Sequence, residues 1–173
     1  MKTIFRRLVE SLVVACLIVV IGNQYRLETK LFVPVSIAMY QEVENPIRKK
    51  LHSIGIKGND KLINAIEFAS EQNNISPDLI IALTWTESNF NAKALSFGNG
   101  GKYKGLMQIP HAVFYTDANI LIGTRILREK LNYANGDMTK AILMYKGYPL
   151  DSPRGYQQVQ KVFVLYRKLK TVV

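Results

Sequence analysis

From Asp60 onward, apolar residues return at three- and four-residue steps, and each stretch ends at residues that break a helix. That periodicity predicts a cluster of helices. Leu62, Ile63, Ile66 and Ala69 mark the first. Ser76-Pro77-Asp78 starts the second, with a capping hydroxyl, a proline at the first turn and an acid at the positive end of the dipole. It runs through Ile80, Leu83, Thr84 and Glu87. Gly98, Gly100 and Gly101 then mark a loop. Asp117 or Asn119 opens a helix carrying Ile120, Gly123, Leu127 and Leu131. Asn135-Gly136-Asp137 breaks it, and Asp137 caps the next, which continues through Tyr145. Gly147, Pro149 and Pro153 end that one, and a last helix carries Val159, Val162, Phe163, Tyr166 and Leu169. No alternating strand pattern stands out. The expected class is all-α, one helical domain over residues 59–173 around a single core.

The chain upstream reads differently. Lys2, Arg6 and Arg7 precede an apolar run from Leu12 to Ile21, the order of a targeting segment. The stretch from Ser11 to Tyr25 is uncharged but shorter than the roughly 18 to 20 residues that span a bilayer comfortably. Residues 1–22 are therefore expected to be a cleaved signal peptide, or else an uncleaved membrane anchor with its N-terminus in the cytoplasm. A lipoprotein reading rests on Val13-Val14-Ala15-Cys16 alone. Each of these readings exports the rest of the chain, to the periplasm or to a membrane-anchored position facing the cell wall. Residues 23–58, punctuated by Pro34, Pro46, Gly55 and Gly58, are expected to be a connector with a short amphipathic helix near Val35 to Val43.

Composition narrows the chemistry. The single cysteine, Cys16, allows no intramolecular disulfide and no thiolate zinc site. With only His52 and His111 as histidines, a histidine metal site is not expected either. No cofactor is implied. A formal net charge of +10 favours polyanionic partners such as anionic lipid, nucleic acid or an acidic wall polymer. No nucleic-acid motif supports the second of these.

Glu87 is the candidate for chemistry. Ile80, Leu83 and Glu87 share one helix face, and that face should point inward. An inward carboxyl loses water, which disfavours its charged form and suits it to give a proton to a leaving oxygen. The plainer alternative is a half-exposed glutamate at a helix rim. Glycoside cleavage usually takes two carboxylates. Asp117 and Asp137 read as helix caps and Asp151 lies in a proline-bounded loop, so no clear second member presents itself.

A set of residues in order carries a resemblance: Glu87-Ser88-Asn89-Phe90-Asn91, Ser96, Gly105-Leu106-Met107-Gln108-Ile109, Asn119-Ile120 with Gly123, Gly136-Asp137, and Ala141 with Tyr145. Residues 60 to 170 resemble the SLT-type lytic transglycosylases, a lysozyme-like family of bacterial wall enzymes. The resemblance implies a helical domain with a glycan groove. It implies peptidoglycan strands as substrate, cut between N-acetylmuramic acid and N-acetylglucosamine to leave 1,6-anhydro ends. It implies Glu87 as a lone acid and then base, because the muramoyl 6-hydroxyl supplies the nucleophile. It implies substrate-contacting roles for Ser96, Gln108 and Tyr145. From the residues alone, Ser96 could equally cap a loop and Tyr145 could be a core aromatic with a satisfied hydroxyl. Gly105, Leu106, Met107, Asn119, Ile120 and Gly123 read as scaffold.

Lys146 stands where the family usually has asparagine, and Met144 where it has alanine. The stretch from Gly98 to Lys104 is longer than usual. The alternatives to a transglycosylase are a lysozyme-type hydrolase and a non-catalytic envelope protein that binds wall glycan or serves a secretion, conjugation or pilus machine.

Overall fold

Six helices and a small sheet make up the described residues of the computed structural model, which are 44–98, 101–110 and 114–172. The expected targeting segment and the Val35 to Val43 helix lie outside them.

Helix α1, Pro46–Ser53, starts where the Asn45 side chain accepts from the backbone N–H groups of Ile47 and Arg48, with Pro46 at the first turn. It corrects the expected connector in part. Ile47 and Leu51 are buried in the same core as the later helices, so the folded unit begins at Glu44 and not near residue 59. Two apolar positions four apart, in a stretch dominated by Arg48, Lys49 and Lys50, were too few to stand out as a helical face. Lys50 ties α1 to the start of α3 through a 2.6 Å salt bridge to Asp78.

Helix α2, Asp60–Asn73, is capped by Asn59 and buries Leu62, Ile63, Ala65, Ile66 and Ala69. Helix α3, Pro77–Ser88, begins as Ser76-Pro77-Asp78 predicts, the Ser76 hydroxyl accepting from the Asp78 N–H. Helix α4, Thr116–Tyr133, follows the small sheet. Its first turn contains Asp117, but neither Asp117 nor Asn119 is its cap; Tyr115 holds that position without a side-chain bond. Helix α5, Met138–Tyr145, is capped by Asp137 as expected, and α6, Pro153–Lys170, by Ser152.

Helix α3 packs against α2 and α6, α6 against α5, α5 against α4, and α4 against α2. The circuit closes on α3. Its residues from Leu79 through Thr84 are all buried, on every side of the helix.

The all-α expectation needs one correction. Strands β1 (Leu95–Gly98), β2 (Gly101–Lys104) and β3 (Ile109–Pro110) form an antiparallel sheet in that order. Leu95 pairs with Lys104, Ser96 with Tyr103 and Lys104 with Ile109. All four β1 residues are exposed, so no inward-outward alternation marked the strand. Gly101 takes φ +107 at the hairpin tip, which is why the glycines read as loop.

Leu51→Ala tests whether α1 belongs to the core. Leu51 has no exposed surface, and its truncation should cost about 2–5 kcal/mol, read from the denaturant midpoint. A connector helix lying on the surface would lose much less.

Candidate active site

Glu87 lies in the last turn of α3, one turn beyond the fully buried stretch. The helix therefore delivers it to the edge of the core, where its side chain keeps 15% of its exposure. Lys146, the residue that caps the C-terminus of α5, meets it there. Its Nζ donates to Glu87 Oε1 at 2.6 Å, and its side chain is only 6% exposed. Two opposing influences act on the carboxyl. Burial is the larger and pushes its pKa above the ordinary glutamate range. The charge and hydrogen bond of Lys146 pull it down without cancelling that rise.

The segment 105–108 forms the neighbouring wall, and almost every polar atom around it is committed. Ser88 Oγ donates to the Leu106 carbonyl at 2.7 Å, fastening the end of α3 to it. Tyr145 Oη donates to the Met107 carbonyl at 2.8 Å. The Met107 N–H donates to Asn119 Oδ1 at 2.8 Å, while Asn119 Nδ2 donates to the Lys104 carbonyl at 2.9 Å. Gly105 and Gly123 leave room for this. A Cβ at Gly105 would collide with the Asn119 amide, and one at Gly123 would come within 2.6 Å of Met107.

Gln108 braces the other end. Its Nε2 donates to the carbonyls of Gly105 and Ala94 at 2.8 and 3.2 Å, and its Oε1 accepts from Ser96 Oγ at 2.6 Å. Both amide hydrogens are thus used within the protein. Three residues of the site have left-handed backbone: Asn89 (φ 51), Phe90 (φ 59) and Gln108 (φ 46). Each such non-glycine residue costs roughly 1–2 kcal/mol, least for asparagine, so the surrounding bonds must hold the turns in place.

The four residues singled out from sequence fall into two pairs. Glu87 and Tyr145 are close enough for the carboxylate charge to act on the phenol. Burial, and then the Glu87 charge, push the Tyr145 phenol well above its ordinary pKa, so it stays a donor. Ser96 and Gln108 bond to each other and not to Glu87. Reading the sequence did not reveal that Lys146 grips the carboxyl. Its only signal was a cation where the resembling family has an amide. Asn119, read as scaffold, is one: it is buried and ties α4 to the wall.

This arrangement offers a desolvated carboxyl beside a cation, which is chemistry for proton transfer. A model of the transglycosylase SLT domain matches residues 64–160, the stretch that contains all of these groups. The chain belongs to the SLT transglycosylase family. No solved structure was found to match the chain. Membership in the SLT family implies peptidoglycan as the substrate, and the helix-rich architecture is compatible with the family's lysozyme-like fold.

Gln108→Ala separates a brace from a pure substrate ligand. It removes three hydrogen bonds and places alanine at a left-handed φ, so chemical denaturation should show a loss of about 1–3 kcal/mol. Unchanged stability would mean that the amide serves the substrate alone.

Proposed function

We propose that this SLT domain is a lytic transglycosylase that cleaves the bond between N-acetylmuramic acid and N-acetylglucosamine with Glu87 as its one catalytic carboxyl. Glu87 gives its proton to the glycosidic oxygen as the C1–O bond breaks. The carboxylate left behind then takes the proton of the muramoyl 6-hydroxyl as that oxygen bonds to C1. The 1,6-anhydro ring closes, Glu87 is protonated again, and no water is consumed. Holding the nucleophile within the substrate supplies a large effective concentration.

The observation that carries this reading is the company Glu87 keeps. Burial favours its protonated form, and among the described residues the side chain acting on it is the Lys146 cation. Of the other acids, Asp151 is exposed in the turn before α6, and Asp117 and Asp137 are otherwise engaged. Asp137 caps α5, and Asp117 sits exposed in the first turn of α4 within 3.6 Å of Lys61. Backbone hydrogen bonds hold both below the ordinary aspartate range. A two-carboxylate hydrolase needs a partner that neither Asp117 nor Asp137 supplies. Export by the N-terminal segment would bring the domain to the wall, where it could act alone or open a path for an envelope-spanning machine.

Glu87→Gln should reduce release of anhydromuropeptides from purified wall by at least about 10²- to 10⁴-fold. The fold should survive, because the glutamine carbonyl can still accept from Lys146. Chromatography of the soluble products checks this, and near-wild-type release from a folded variant would overturn the assignment.

A further inference from the structure

Lys146 is the feature of this site that its general chemistry does not require. A neutral donor could orient a carboxyl as well. A buried cation also changes its charge balance, and burial of a cation is costly unless it is paired. The pair here is close, at 2.6 Å, and spans two helix ends 59 positions apart in sequence. Lys146 engages only one oxygen, Oε1. Among the described residues, Oε2 accepts no hydrogen bond, and it belongs to a side chain that keeps 15% of its exposure. Among the described residues, the other titratable group coupled to Glu87 is Tyr145, which feels the Glu87 charge but points its hydroxyl hydrogen at the Met107 carbonyl and not at the carboxyl.

We propose that Lys146 is the positioning residue of Glu87: it holds Oε1, turns Oε2 outward to meet the glycosidic oxygen, and sets the pH above which the site stops working. The inference rests on reading Glu87 as the acid. An acid must carry its proton at the start of the cycle, and a cation beside it favours losing that proton. Activity should therefore fall as pH rises through the Glu87 pKa, and Lys146 places that fall at lower pH than a neutral residue would. The same cation stabilises the carboxylate formed when the proton has been delivered.

The test compares the intact domain with Lys146→Met, Lys146→Gln and Lys146→Arg. Carbon-detected NMR of labelled glutamate follows the carboxyl directly, the Glu87 signal being the one missing from Glu87→Gln. In the Met and Gln variants the signal should titrate at higher pH than in wild type, and in the Arg variant close to wild type. The alkaline limb of kcat/KM on purified wall should move in the same order. The Met variant should also lose kcat by up to about 100-fold with little change in KM, as expected for a misoriented acid. A Glu87 signal that titrates alike in wild type and in the neutral variants overturns the proposal. If instead the titrations shift as stated while Glu87→Gln still cleaves wall, Lys146 does govern the carboxyl and the catalytic assignment of Glu87 is what fails.

Discussion

The site depends on the burial of the middle of α3 on every side. A helix packed on one side could place a glutamate anywhere along its wet face. Here Leu79 through Thr84 are enclosed by neighbouring helices, so the next turn emerges at the core's edge with little water around it. Desolvation is the largest influence on Glu87 for that reason. The left-handed Asn89 and Phe90 then turn the chain sharply away, and the Ser88 hydroxyl anchors the helix end to the Leu106 carbonyl.

Around that helix end, polar groups divide into two kinds. Asn119, Gln108, Ser96 and Ser88 satisfy backbone or one another and stiffen the wall. Glu87 and Lys146 form a buried ion pair, and such pairs contribute less to stability than their Coulomb attraction suggests, because two charges have been taken from water. Removing Lys146 need not strand a buried charge, since the carboxyl can take up a proton. The pair is thus better understood as a setting of protonation state than as a structural staple.

Much of this could be read from residues, and the rest could not, for identifiable reasons. Helix starts with a chemical signature, such as Ser76-Pro77-Asp78 and Asp137, were legible because a cap is a local hydrogen bond. Helix α1 was not, since only Ile47 and Leu51 face the core amid a basic cluster. The hairpin was not, because Leu95 to Gly98 are all exposed and leave no burial pattern. The burial of Ile80 and Leu83 on the side that carries Glu87 was legible from spacing, and the burial of the opposite side was not. The ion pair of Glu87 with Lys146 was not, because no local rule links side chains 59 positions apart. Gln108 stood out by resemblance as a substrate contact, and the structure shows what its amide already holds within the protein.

The central claim is that one carboxyl suffices because the sugar supplies its own nucleophile. Digestion of purified wall in water enriched in oxygen-18, followed by mass spectrometry of the new muramic ends, tests it most directly. The account predicts unlabelled ends with the mass of the 1,6-anhydro sugar. Ends heavier by one water and carrying the label would show that water attacks C1, and the claim would fall.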